Sequence, residues 1–371
     1  MHKSMRVLVT VPWGERLGGA EAMLQGILEG ARQHGHELEL VFFEPGPWPD
    51  ELAAAGFRVE VLAAGRLRQV AKLLATIVRL NGIIRRRRPD LILNWSAKTQ
   101  LYGSPAAVLA GMRKRVLWWQ QAIPSSKGWL DRIATLLPAI AVGCYSTPAA
   151  EAQQRLFPSR RTFVVGAGAP LPGPAAQSAP LELPAGVPIV GLVGRLQPWK
   201  GQDRLLEAQA ILRERGKALH TLIVGGDSWD LSPQYAASLP RLISRLGLDG
   251  AVTMTGEVPD ADPYVQQLDI LVNASDPEPF GIVLLEGMSR GVAVVAVDSG
   301  GPGEFIENGR TGVLARSGEP AALADAIEPL LEDAALRERI GRAGSESFLA
   351  DFTVEALQRR FFASLQRLAA T

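Results

Sequence analysis

Short apolar runs alternate along this chain with longer stretches in which apolar residues recur every three or four positions. Runs rich in Val, Ile and Leu predict buried strands, and the longer stretches predict amphipathic helices. Regular alternation of the two predicts an α/β fold with parallel sheets covered by helices on both faces. In the first half, Arg6–Val11 predicts a strand, Gly18-Gly19 opens a helix reaching about Gln33, and residues 38–43 predict the next strand. Residues 90–94, 115–119, 140–143 and 162–165 complete the first set.

The pattern stops between Gly166 and Pro188, where Gly and Pro dominate. That composition reads as a linker. Strands resume at residues 189–194, 219–224, 252–255, 269–273 and 292–297, with helices over 202–215 and 281–290 and a helical tail from Pro320. The expected organisation is therefore residues 1–167, a linker at 168–187, and residues 188–352. Each half is a Rossmann-like, doubly wound domain. Ligands of such sheets bind beyond the C-terminal ends of the strands, so a cleft between the domains is expected there.

A length of 371 residues suits two cores, and 47% hydrophobic with 21% charged residues excludes a disordered or membrane-embedded chain. The single cysteine, Cys144, excludes an internal disulfide framework and fits a reducing compartment. No long apolar segment follows Met1, and the stretch 133–145, broken by Pro138, is shorter than the roughly 20 residues a spanning helix needs. A cytoplasmic protein is expected, with peripheral contact at the inner membrane face left open.

The net charge of +1 hides an asymmetry, because residues 1–165 carry 22 Lys or Arg against 12 Asp or Glu. A basic first half fits an anionic partner, either a membrane surface or an acidic acceptor, or is uneven surface charge alone. Residues 66–88 interleave basic with apolar positions and end in Arg85-Arg86-Arg87-Arg88. Such a helix either packs on the core with a solvated rim or lies on an anionic membrane.

Two loops carry candidate chemistry. Gly194-Arg195-Leu196-Gln197-Pro198-Trp199-Lys200-Gly201 leaves a strand and enters a helix. Two cations there suit a diphosphate, with free N–H groups of helix N-termini adding donors. Glu278-Pro279-Phe280-Gly281-Ile282-Val283 again leaves a strand, and Glu286 follows inside the next helix. An ionised carboxylate accepts from two neighbouring hydroxyls at once, which suits sugars and ribose.

Glu278 and Glu286 form an E-x7-E pattern preceded by the Arg195…Lys200 pair. Together with Gly18-Gly19-Ala20-Glu21, Val224-Gly225-Gly226, Thr255-Gly256-Glu257-Val258 and Gly300-Gly301-Pro302-Gly303-Glu304, it resembles the family 4-type retaining glycosyltransferases of the GT-B fold. The resemblance implies transfer of a sugar from a nucleoside-diphosphate sugar, most plausibly UDP-linked, to a glycan or lipid-linked acceptor. It implies that Arg195 and Lys200 bind the diphosphate, assisted by the Ile282 and Val283 N–H groups. Glu286 would hold the ribose, and Glu278 with Pro279 and the Phe280 and Gly281 backbone would hold the transferred sugar. Glu257 and Val258 would flank the base, while Gly18 and Gly19 would approach the phosphate from the first domain. The final helix, from about Thr353, would cross back to that domain. No cofactor, metal or nucleic acid is expected.

Relatives carry a histidine near the position of Trp118-Trp119-Gln120-Gln121, where this chain has Gln121, which cannot act as a base near neutral pH. A non-catalytic protein that binds sugar nucleotides or glycans on the same fold is therefore the second reading. Trp95, Trp119 and Gln121 are candidates for the acceptor site, since both indoles end predicted strands. Asp260-Ala261-Asp262 reads as a helix start rather than a metal site. The glycines at 166 and 168 are followed by Pro170, Pro172 and Pro174, so no dinucleotide fingerprint opens a helix there, which removes a dehydrogenase reading.

Overall fold

A computed structural model describes residues 4–16, 18–65, 68–125, 128–174, 181–227 and 232–369. Residues 175–180 of the predicted linker, and Arg66 and Leu67 of the basic run, lie outside the described residues. The chain divides into two compact units, Met1–Ala167 with Val354–Thr371, and Gly168–Thr353.

The first unit runs β1 (Arg6–Val11), α1 (Gly19–Gly30), β2 (Glu37–Phe42), α2 (Pro47–Ala54), β3 (Val59–Val61), α3 (Val70–Arg87), β4 (Leu91–Asn94), α4 (Ala97–Leu109), β5 (Val116–Gln120), α5 (Trp129–Leu136), β6 (Ala141–Cys144), α6 (Thr147–Gln154) and β7 (Thr162–Val164). The second runs β8 (Ile189–Val193), α7 (Gln202–Glu214), β9 (His220–Val224), α8 (Pro233–Arg245), β10 (Val252–Met254), α9 (Asp262–Val265), β11 (Ile270–Asn273), α10 (Ile282–Ser289), β12 (Ala293–Val297), β13 (Val313–Ala315), α11 (Pro320–Glu332) and α12 (Ala334–Asp351). The last helix, α13 (Val354–Ala369), belongs to the first unit. There Gln358 donates to the Gly26 carbonyl at 2.7 Å, and Arg360 donates to the carbonyls of Val165 and Ala167.

Among the described residues, the sheets have seven strands in the order β3-β2-β1-β4-β5-β6-β7 and six in the order β10-β9-β8-β11-β12-β13. Pairing is parallel throughout both sheets, with Val7 opposite Leu38 and Leu91 in the first, and Val190 opposite Thr221 and Ile270 in the second. Strands of a parallel sheet are covered on both faces, which is why they read as apolar runs rather than as alternation. Strand order reverses at β1/β4 and at β8/β11, and those reversals open a crevice at the strands' C-terminal edge.

The sequence pattern overlooked α2, β3, α4, α6, α8 and β13. The α4 helix is buried around most of its surface by small residues such as Gly103, Ala106 and Ala107, so no apolar stripe marks it. Its start is fixed by Ser96, whose hydroxyl accepts from the Thr99 N–H while Thr99 Oγ1 accepts from the Ser96 N–H.

An aromatic cluster fills the first core. The rings of Trp95 and Trp119 stack with centroids 5.1 Å apart, with Tyr145, Phe163 and Phe361 of α13 around Trp119. A Cβ at Gly143 would lie 2.4 Å from the Trp119 ring. Gly143→Ala is expected to destabilise this unit by about 1–3 kcal/mol through overpacking, read by urea unfolding followed by tryptophan fluorescence. Six of the eight tryptophans lie in residues 1–165, so fluorescence reports mainly on this unit.

Candidate active site

In the second unit the loops leaving the neighbouring strands β8 and β11 meet. The Asp276 N–H donates to the Trp199 carbonyl at 3.2 Å, and the Arg204 guanidinium donates to the same oxygen at 2.9 Å. Gly201 lies between them at φ 75°, and a Cβ there would stand 2.6 Å from the Ala274 carbonyl. Only glycine gives both that backbone and that approach.

This meeting brings Lys200 and Glu278 together. Lys200 Nζ donates to Glu278 Oε2 at 2.9 Å, and Asn273 Nδ2 donates to the same oxygen at 3.1 Å. The Glu278 backbone is pinned to the loop after β12, its N–H donating to Ser299 O at 3.0 Å and its carbonyl accepting from the Gly301 N–H at 2.9 Å. Burial pushes the Glu278 carboxyl up, but the charge of Lys200 and the hydrogen bonds from Lys200 and Asn273 outweigh it and hold it below the usual carboxylate range. Glu278 is thus an ionised carboxylate beside a cation.

The Arg195 carbonyl accepts from Gln202 Nε2 at 2.9 Å, and Gln202 is itself fixed by the Tyr235 hydroxyl at 3.1 Å. Asn273 and Gln202 were not singled out from the sequence. Asn273 carried a usable signal, being the polar last residue of the apolar run Ile270–Asn273. Gln202 carried none, since its burial depends on packing against α8.

Gly281, at φ 99°, ends the Glu278 loop and starts α10. Ile282 and Val283 are the first residues of that helix, so their N–H groups have no partner within it. Glu286 lies one turn further on. Its carboxyl is pushed up to about 7 by burial first, then by the charges of Asp262 and Asp260. The base-flanking candidates Glu257 and Val258 follow β10, on a loop tied to that of β9 by the Gly225 N–H donating to Gly256 O at 3.1 Å. The start of α9 differs from a simple acidic cap, since the carboxylate of Asp262 pairs with Arg290, Nε to Oδ1 at 2.8 Å.

In the first unit Gly18 precedes α1 with an extended backbone, and a Cβ added there would meet nothing within 4 Å. The fold of that unit leaves room for a side chain at this glycine. Two acceptor candidates are corrected. Trp95 and Trp119 are both 0% exposed, because their rings stack on each other and α13 closes over them, so neither lines an open site. Gln121 is half-buried and donates to the Trp95 carbonyl at 2.7 Å. The partly exposed indole beyond β1 is Trp13, 4.1 Å from Lys98 Nζ, which also donates to Glu44 at 2.7 Å. His34 and His36 stack on Phe362, and His220 is bonded to Thr253, so those three rings are engaged in packing.

Comparison with known proteins agrees with this architecture. Residues 18–168 match the family described as Glycosyl transferase 4-like domain, and residues 175–347 match Glycosyl transferases group 1. Lipopolysaccharide core biosynthesis glycosyltransferase LpsE of Rhizobium meliloti is 25% identical over 361 residues, covering 92% of this chain and 93% of that protein. D-inositol 3-phosphate glycosyltransferase of Nocardia farcinica is 38% identical over 202 residues, which is 52% of this chain and 44% of that protein. The crystal structure of Anabaena Alr3699/HepE in complex with UDP and glucose is 25% identical, with a TM-score of 0.80 over 97% of this chain and 99% of that one.

Two doubly wound parallel-sheet units with these loops define a glycosyltransferase of the GT-B class. The chain belongs to the group 1, family 4-type glycosyltransferases. That membership supports transfer rather than binding alone.

The position of Glu286 gives a pH expectation. Near neutral pH about half of it is protonated in the free protein, and a carboxyl that must ionise to accept two ribose hydroxyls binds nucleotide more weakly as pH falls. If Glu286 holds the ribose, affinity for UDP is expected to drop about fivefold between about pH 7 and about pH 6, with uptake on release of about half a proton at about pH 7 rising towards one at about pH 6. Calorimetry across pH checks this, and Glu286→Gln should flatten the profile. An equally steep profile in that variant assigns the titration elsewhere.

Proposed function

We propose that this glycosyltransferase moves a hexosyl group from a UDP-sugar to a glycan or lipid-linked acceptor, with retention of anomeric configuration and without a bound metal. The observation that carries the reading is the cluster of Lys200, Glu278 and Asn273 beside the N-terminus of α10 at the β8/β11 reversal. Lys200, Arg195 and the Ile282 and Val283 N–H groups offer the charge a departing diphosphate needs, which takes the place of a cation. Glu278, ionised and held by two donors, accepts from hydroxyls of the transferred sugar. Glu286 accepts from the ribose, and Glu257 and Val258 border the base. Gly18 and Gly19 offer backbone N–H groups to a phosphate at the start of α1, where a Cβ at Gly18 would meet nothing within 4 Å.

Gln121 cannot take up a proton near neutral pH, and the acceptor proton passes to the leaving phosphate on the same face of the sugar. That route preserves the anomeric configuration. Gln121 orients the acceptor. The complex of Alr3699/HepE with UDP and glucose supports the choice of nucleotide, and the lipopolysaccharide-core relative supports a glycan or lipid-linked acceptor. A protein built in this way acts on the cytoplasmic side, where nucleotide sugars are made.

Purified protein incubated with a panel of UDP-sugars is expected to release UDP, unaffected by EDTA, and UDP alone should raise its Tm. With an acceptor found, NMR of the product gives the anomer. Neither UDP release nor stabilisation across the panel would end the donor assignment. An inverted product would end the mechanism while leaving the donor site standing.

A further inference from the structure

The first unit carries an apolar face with no part in the donor chemistry. On α3, Val70, Leu74 and Val78 recur at four-residue intervals, so they form one stripe, and they are 62%, 57% and 65% exposed. On α5, Trp129 and Leu136 are 60% and 56% exposed. Between these helices and α4 runs an open groove of about 700 Å³, lined by Leu73, Ile77, Leu101, Pro105 and Ile133. Scattered apolar residues need no explanation, but a continuous apolar groove flanked by exposed apolar stripes does.

The charge around this face is mostly of one sign. Residues 61–136 hold fourteen Lys or Arg against two acids, Asp90 and Asp131, and Asp131 on α5 accepts from Gln120. Some of these cations serve the fold: Arg87 is buried between Glu39 and Glu60, and Arg85 donates to the Leu109 carbonyl. Arg68, Lys72, Arg79 and Arg132 are exposed instead, with no acidic partner among the described residues. Lys72 and Arg79, seven residues apart on α3, share one side of the helix, across from its exposed apolar stripe. The helix, about 27 Å long, buries Ile77, Leu80, Ile83 and Ile84 in the core and turns the Val70, Leu74 and Val78 stripe outward, which leaves apolar surface free to enter a lipid interface.

We propose that the α3–α4–α5 face docks on an anionic phospholipid bilayer, with Leu74, Val78 and Trp129 entering the interface and the groove receiving part of an acyl chain. Charge complementarity selects this occupant. A nucleic acid would satisfy the cations but leave the aliphatic stripe in water, and a second copy of the chain would bring like charges together. Each cation near the surface strengthens such binding by about fivefold, and salt weakens that part. The proposal is independent of the transfer reading, so each can fail alone.

The test is co-sedimentation of the full chain with vesicles of phosphatidylcholine plus phosphatidylglycerol, against phosphatidylcholine alone, at low and high salt. The wild type is expected to bind the anionic vesicles at least tenfold more tightly, with the difference shrinking in salt. Leu74→Glu with Val78→Glu, and separately Lys72→Glu with Arg79→Glu, should each weaken binding at least tenfold. These side chains are exposed, so a circular-dichroism melt should show both variants folded like wild type. No binding of wild type to anionic vesicles, or wild-type binding by both folded variants, overturns the proposal. So does a wild-type dimer that Leu74→Glu splits, or tighter binding to RNA than to the vesicles.

Discussion

Lys200→Ala is expected to lower kcat/KM by about 10²- to 10³-fold and to weaken binding of UDP as well as UDP-sugar. The reason is that Lys200 serves two anions in turn. In the free protein its Nζ is 2.9 Å from Glu278 Oε2, and in the proposed donor complex it also faces the diphosphate. Removing it leaves a buried carboxylate whose remaining side-chain donor is Asn273, which costs about 1–3 kcal/mol of stability in the second unit. The sign with pH follows from the wild-type arrangement. There the Glu278 carboxyl is held below its ordinary value, so its contribution to stability is present above that ordinary value and is lost as pH falls through the depressed one. Without Lys200, burial dominates and the dependence reverses, stability now falling as pH rises through the raised value. Urea unfolding across pH, beside kinetics, separates the two roles. Adding Glu278→Gln should restore most of the stability and none of the activity. A Lys200→Ala enzyme with wild-type kinetics would refute the site.

Glu278→Gln is expected to reduce kcat by a similar factor, about 10²-fold or more, with a different binding signature. In the proposed complex its carboxylate meets the transferred sugar, so UDP should bind as tightly as to wild type, or more tightly, because Lys200 is released from its ion pair. The advantage of UDP-sugar over UDP should vanish. Calorimetry with both ligands measures this directly. Loss of UDP affinity in this variant, with sugar discrimination intact, would place Glu278 on the nucleotide instead.

Much of this site was legible in the chain. Arg195, Lys200, Glu278 and Glu286 stand at fixed spacings on loops that follow apolar runs, and the loops could be recognised before any fold was known. The strands were legible for the same reason, since a parallel strand covered on both faces is apolar at every position, as in Ala293–Val297. Elements with weak signals were not: β3 is a three-residue edge strand, Val-Glu-Val, and α4 is buried too evenly to show a stripe. Spacing also could not reveal that Lys200 and Glu278 are partners, 78 residues apart, or that Asn273 and Gln202 hold the groups around them.

The tryptophans mark the boundary most sharply. At the end of a strand an indole is equally at home in a core or beside a ligand, and only the chain folded against it decides. Gly143, with no side chain, makes room for Trp119, and Phe361, over two hundred residues later, packs against it. The sequence by itself determined the class of fold, the donor loops and the chemistry they can offer, because those depend on local periodicity and on residue type. The tertiary structure alone decided which ionisable groups share a counter-ion, which carboxyl titrates near neutrality and which aromatics reach solvent, because each of these depends on distances between residues far apart in the chain.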